Sequence, residues 1–228
     1  MLPHSIDWDQ NFASQGWAIL PAWLKAPDCV AIAAQADSLH QQGAGRRDVL
    51  AQSWCVALLQ AMRQLPALQT HLHGMQAVQC SYFAKSADCN WLVPLHQDLS
   101  VPVAARNAHP ALRGWSCKDG QLFVQPPSSL LARMLALRLH LDAVDAENGA
   151  LRVLNGSHVG EYADAASARA ACGETLCSAE AGSLMLMRPR LWHASGKITA
   201  QRQRRVLHFL FGPQAPGFGL CWPSDASR

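Results

Sequence analysis

His96 and Asp98 stand two residues apart in the stretch Asn90-Trp91-Leu92-Val93-Pro94-Leu95-His96-Gln97-Asp98-Leu99-Ser100. Side chains two apart on a strand leave the same face, so an imidazole and a carboxylate would converge here on a shared ion. One more histidine would complete the two-histidine, one-carboxylate set that holds iron(II) on one side and leaves the other side open to reactants. Of the ten histidines, His4, His40, His71, His73 and His109 fall in N-terminal, helical or loop stretches without a carboxylate at ligand spacing, and they read as ordinary polar residues. His140, His158, His193 and His208 are left as candidates for the third ligand.

The elements that must position these residues divide the chain in two. In the first third, residues 16–20 read as a short strand, while 29–41, 49–65 and 68–72 carry apolar residues at helical spacing, with Gln42-Gly43-Ala44-Gly45 ending the first helix and Pro66 the second. From residue 77 onward the pattern is short extended runs between turn residues: 77–83, 134–142, 150–154, 175–177, 183–187 and 205–211. Residues 162–172 are alanine-rich and predict a helix or surface excursion. Within 134–142 Leu135, Leu137, Leu139 and Leu141 alternate with Ala136, Arg138, His140 and Asp142, so one face is apolar and the other polar. Asn148-Gly149 and Asn155-Gly156 bracket the run that follows, as turn signals. A helical start followed by many short strands predicts a mainly β fold with flanking α: a double-stranded β-helix, or jelly roll, at residues 76–213, buttressed by helices within 1–75, all in one domain spanning 1–228. In such a barrel the polar face of 134–142 would line the cavity between the sheets.

Composition narrows the class. With 228 residues, half of them apolar, the chain can bury a full core without disulfides. Its eight cysteines include no Cys-x-x-Cys pair, which predicts reduced thiols and, with no leader or membrane-length apolar run, a cytoplasmic protein. A net charge of +3 with no long basic run gives no sign of nucleic-acid binding.

The ordered motifs His96-Gln97-Asp98, Glu147-Asn148-Gly149-Ala150-Leu151-Arg152-Val153-Leu154-Asn155-Gly156-Ser157-His158, His193-Ala194-Ser195-Gly196 and Arg204-Arg205 give residues 78–211 a further meaning. In this order they resemble the phytanoyl-CoA dioxygenase family of iron(II)- and 2-oxoglutarate-dependent oxygenases. The resemblance implies that His96, Asp98 and His193 bind iron, and that Ser195 and Arg204, two and eleven residues past the last ligand, hold the far carboxylate of 2-oxoglutarate. Strand parity alone does not choose between Arg204 and Arg205; the family spacing chooses Arg204 and leaves Arg205 as a surface charge. His158 becomes a turn residue. Gln97 and Arg138 are placed with the cosubstrate. Two positions depart from the family pattern: Asn155 replaces a proline, and Arg138 stands where the phytanoyl-CoA enzymes have a tryptophan that contacts the cosubstrate.

The implied reaction consumes 2-oxoglutarate and dioxygen, releases succinate and carbon dioxide, and hydroxylates an unactivated carbon of a small molecule. Related halogenases lack the carboxylate ligand so that chloride can bind; Asp98 is present, which favours hydroxylation. Residues 100–129, a long segment between the first ligands and the next clear strand, predict a binding loop or lid, and Lys118 and Gln125 within it, with His140, are the substrate candidates. Arg138, a second interior cation, predicts a small acid as substrate or a direct contact with 2-oxoglutarate. A metal-binding jelly-roll module without turnover would be the competing function, but it has no use for a carboxylate clamp past its last ligand. An oxygenase of protein side chains or nucleobases would need an open charged or aromatic groove that the sequence does not display.

Overall fold

The computed structural model describes residues 8–39, 45–199 and 201–223. The expectations for His4, His40 and the turn at 42–44 lie outside these residues.

Four helices and two short strands open the described chain. Helix α1 (Trp8–Gln15), unanticipated because its eight residues hold few apolar positions, leads into strand β1 (Trp17–Leu20). Helix α2 (Ala26–Leu39) starts with Pro27 and Asp28 in its first turn, where proline loses no hydrogen bond and a carboxylate meets the positive end of the helix dipole. After β2 (Gly45–Arg46), the single helix expected over 49–65 is instead a 3-10 turn at Val49–Ala51 followed by α3 (Ser53–Arg63). Pro66, expected as a break, also occupies the first turn of α4 (Pro66–Leu72).

The rest is mainly β. Strands β3 (Met75–Lys85), β4 (Val93–His96), β5 (Val101–Pro102), β6 (Arg113–Lys118) and β7 (Gln121–Gln125) precede the one-turn helix α5 (Ser128–Leu131). Strands β8 (Leu135–His140) and β9 (Leu151–Leu154) follow, then α6 (Ala165–Ala171), begun by a capping box between Asp164 and Ser167. Strands β10 (Glu174–Cys177), β11 (Leu184–Met187), β12 (His193–Ser195) and β13 (Arg204–Pro213) complete the fold. Residues 100–129, expected as a binding loop or lid, contain a three-stranded antiparallel sheet in the order β5-β7-β6.

A six-stranded sheet runs β1-β11-β8-β13-β3-β2 and a four-stranded sheet β10-β9-β12-β4, the two sheets of a jelly roll. Parity divides the larger sheet sharply. On its outer face Leu135, Leu137, Leu139, Leu207, Phe209, Phe211, Cys80 and Tyr82 join one core with Ala33, Ala36, Leu58, Leu59, Met62 and Leu68 of the helices. Each such large side chain contributes about 1.5–3 kcal/mol when removed from water. The inner face carries Ser81, Lys85, Arg138, His140 and Arg204, all buried, together with half-buried His208. Cross-strand register fixes their neighbours: Arg204 opposes Lys85, and His208 lies between Ser81 and Arg138.

Arg205 is not the surface charge expected. It faces the helices, donates from Nη2 to Asp142 at 2.7 Å and from Nη1 to Asp37 of α2 at 3.1 Å, and Tyr82 donates its hydroxyl to the same Asp37. This network ties α2 to the outer face of the sheet. Arg205→Ala is therefore expected to lower unfolding free energy in urea by about 1–3 kcal/mol, since it strips the main cation from half-buried Asp142.

Candidate metal centre and carboxylate clamp

His193 and His96 are direct cross-strand partners on β12 and β4, and their ring centroids lie 4.3 Å apart. The sequence expectation placed His96 and Asp98 on one strand. The strand instead ends at His96, and Asp98 turns in from the loop, held where its backbone N–H donates to Pro189 O at 2.9 Å. Gln97 braces the same turn by donating its side-chain amide to Arg190 O.

Both imidazoles are oriented alike. Nδ1 of His96 donates to Pro94 O and Nδ1 of His193 to Leu191 O, each at 2.9 Å, so each ring keeps its proton on Nδ1 and turns the Nε2 lone pair inward. The Nε2 atoms stand 3.6 Å and 3.8 Å from the two oxygens of Asp98. These separations are too long for hydrogen bonds, and all the ligand atoms lie within 4.8 Å of one another, a set that could hold one metal ion. Burial alone would push the Asp98 carboxyl up, but the neighbouring His193 and His96 outweigh it and hold it well below the usual carboxylate range. Burial lowers the His193 pKa, which keeps that ring neutral as a ligand must be, whereas contact with Asp98 raises that of His96. Two neutral nitrogens and one carboxylate oxygen fit iron(II).

The triad opens onto a cavity of about 360 Å³ that Ser195 and Arg204 also line. Ser195 follows His193 by two residues on the same strand face. Its Oγ donates to Gly149 O at 2.9 Å and accepts from Arg204 Nη1 at 3.1 Å and Lys85 Nζ at 2.9 Å. Arg204 Nη1 also reaches Gly149 O at 2.7 Å. The Asn148-Gly149 turn thus aims a carbonyl at the clamp. Gly149 has φ of 77°, and a Cβ there would sit 2.8 Å from Gly196 O, so only glycine fits.

Lys85 was missed from the sequence. It is fully buried at the end of β3 with its ammonium 5.0 Å from the Trp91 ring, and burial with the charges of Arg204 and Arg138 lowers its pKa to about 7. The signal was its even spacing from Ser81 and Phe83, which becomes legible only once the β3–β13 register is known.

Other expected residues scatter. Arg138 and Gln97 line the cavity, and Lys118 lies exposed at its margin with Nζ 5.2 Å from the Phe123 ring. Gln125 does not line this cavity but lines a smaller hollow with Gln97 and Leu99, at the far end of β7 from Lys118. His140 is buried behind the cavity wall, not among its lining residues, and both its ring nitrogens lack a partner among the described residues. His158 packs against Gly16, outside the cavity. Asn155, at the departed proline position, joins three strands: it accepts from Trp17 Nε1 and donates to Thr175 Oγ1, each at 2.9 Å.

The sequence matches the family model of phytanoyl-CoA dioxygenase over residues 12–206. The chain belongs to the phytanoyl-CoA dioxygenase family. No curated protein matches the sequence. Among solved structures, SnoK, described as a non-haem α-ketoglutarate-dependent carbocyclase from nogalamycin biosynthesis, superposes with a TM-score of 0.68 at 14% identity, covering 91% of this chain and 83% of its own. HygX from Streptomyces hygroscopicus, solved with nickel and 2-oxoglutarate, gives 0.64 at 14% identity over 92% and 87%. The epimerase SnoN, solved with Fe3+, α-ketoglutarate and nogalamycin RO, gives 0.67 at 13% identity over 96% and 85%. These likenesses share the jelly-roll fold. Family membership and the His-Asp-His set together make the protein an iron- and 2-oxoglutarate-dependent oxygenase.

His193→Ala is expected to abolish stoichiometric iron(II) binding in anaerobic titration, while His140→Ala and His158→Ala bind one iron per chain. The reverse pattern would place the third ligand elsewhere.

Proposed function

We propose that the protein hydroxylates a small molecule, with His96, Asp98 and His193 holding iron(II) and Ser195 and Arg204 holding the far carboxylate of 2-oxoglutarate. The observation that carries this reading is the opening of both the ligand set and the Ser195–Arg204 clamp onto one cavity. Bound there, iron(II) with 2-oxoglutarate and dioxygen supplies an oxidant strong enough to take hydrogen from an unactivated carbon. In balance, R–H, 2-oxoglutarate and dioxygen give R–OH, succinate and carbon dioxide.

The protein's own residues do the rest. The two backbone carbonyls fix the imidazole tautomers, Pro189 fixes Asp98, and Gly149 holds the clamp before any ligand arrives, so little ordering is left to binding. Arginine suits the clamp because its planar fork matches a carboxylate at two points. Lys85 adds charge from behind Ser195.

One feature supports hydroxylation over the epimerisation named for SnoN. Inverting a carbon centre requires a hydrogen donor such as a phenol or thiol on the opposite face. The lining among the described residues contains neither tyrosine nor cysteine. A carboxylate at Asp98 takes the position that a halide would need. A cavity of about 360 Å³, shared with the cosubstrate, suits a small substrate. None of the eight cysteines forms a disulfide, which supports a reducing, cytoplasmic setting, and no helix among the described residues is long and apolar enough to cross a membrane.

Arg204→Ala should weaken 2-oxoglutarate binding roughly ten- to a hundredfold, the cost of one charge-assisted contact of about 1.5–3 kcal/mol, with iron affinity near normal. If Arg205→Ala did this and Arg204→Ala were silent, the clamp would be misassigned. Lys85 adds a pH signature. Its pKa of about 7 leaves it largely neutral at pH 8, and a dianion beside it raises that value, so 2-oxoglutarate binding should take up protons there. Calorimetry in buffers of different ionisation enthalpy should show this uptake in wild type and lose it in Lys85→Met.

A further inference from the structure

Arg138 is buried and lines the cavity, yet no carboxylate among the described residues lies within ion-pair distance of it. Its Nε is buried and has no hydrogen-bond partner among the described residues. Burial lowers its pKa only to about 10, so the cation persists at neutral pH. Nη1 donates to His208 Nδ1 at 3.0 Å. A guanidinium has no lone pair to offer, so Nδ1 must be the acceptor and the ring proton must sit on Nε2. Burial holds His208 neutral, with a pKa of about 3, and the ring lines the same cavity. Arg138 thereby fixes a second donor beside its own.

The charges around the cavity are unequal. Arg47, Lys118, Arg138 and Arg204 line it, against Asp98 as the only carboxylate among the described lining residues. Arg47 is matched by Asp119, outside the cavity. On the proposed reading of the site, the far carboxylate of 2-oxoglutarate answers Arg204 and the other end lies at the metal with Asp98. Neither answers Arg138. An interior cation left unmatched costs several kcal/mol, which an anionic ligand would recover.

We infer that the primary substrate is a small organic acid whose carboxylate docks on Arg138 and the Nε2–H of His208. Its carbon skeleton lies against Phe83, Phe123 and Leu210, which line the remaining wall. This inference rests on the proposed oxygenase site and adds the substrate class. Arg138 and His208 are specificity residues, distinct from the clamp that receives the cosubstrate.

The test is calorimetric and needs no turnover. Protein loaded with nickel(II) and 2-oxoglutarate is titrated with octanoate and 3-phenylpropionate and with their primary amides as uncharged isosteres. At least one acid should bind roughly tenfold or more tighter than its amide, the worth of a charge-assisted contact. Arg138→Leu should erase that preference, Arg138→Lys should keep part of it, and both should bind 2-oxoglutarate within about threefold of wild type. Because Arg138→Leu removes an unmatched buried charge, its thermal midpoint should be at or above that of wild type, which separates lost binding from lost fold. Equal binding of acids and amides by wild type, or binding of neither, overturns the inference. So does a loss of more than about tenfold in 2-oxoglutarate affinity in Arg138→Leu, which would assign that arginine to the cosubstrate. Failure of wild type to bind nickel and 2-oxoglutarate at all would overturn the proposed site with it; if both bind, only the substrate class is at stake.

Discussion

Three basic side chains, Lys85, Arg138 and Arg204, are buried on one face of one sheet, and the only carboxylate lining the cavity among the described residues is a ligand of the candidate metal site. Interior charge of one sign is unfavourable unless something compensates it, and a protein that keeps such an arrangement must recover the cost elsewhere. Here the recovery lies on the opposite face. The leucines and phenylalanines that alternate with the basic side chains bury a continuous core beneath the N-terminal helices, and the Arg205–Asp142–Asp37 network fastens that layer down. Strand alternation lets a single sheet present an apolar face to the helices and a basic face to the cavity.

The polar features that look incidental order this basic face. The Asn148-Gly149 turn does more than reverse the chain: its carbonyl receives both Ser195 and Arg204 and holds the two side chains together. Ser157 accepts from the Trp192 N–H at 3.0 Å, and Asn155 ties β1 and β10 to the end of β9, so this segment positions the residue preceding His193. Replacing proline with asparagine adds hydrogen bonds to a turn that proline would only stiffen. The histidines differ by what their Nδ1 atoms meet. Backbone carbonyls leave the Nε2 of His96 and His193 free for a metal, whereas a guanidinium turns His208 into a donor.

Much of this was legible in the sequence because the chemistry and the periodicity coincide. The alternation of Leu135 to His140 predicted an interior Arg138, and motif order predicted His193 and Arg204. What sequence could not supply was register. Lys85 becomes part of the clamp only because β3 pairs with β13 so that Lys85 faces Arg204. Gln125 was drawn to the substrate by its place in a long segment and His140 by strand parity, and the structure brings neither to the cavity. The three strands within residues 100–129 escaped notice because β6 and β7 carry no clean alternation, and Arg205 seemed a surface charge because its partners are 63 and 168 residues away.

The central claim is that one cavity holds iron(II) on His96, Asp98 and His193 and 2-oxoglutarate between that ion and Arg204. It is tested most directly by visible absorption during anaerobic addition of iron(II) and then 2-oxoglutarate. A charge-transfer band should appear and saturate at one iron and one 2-oxoglutarate per chain, as chelation of iron by the keto acid produces. Stoichiometric iron uptake with no such band at saturating 2-oxoglutarate would contradict it.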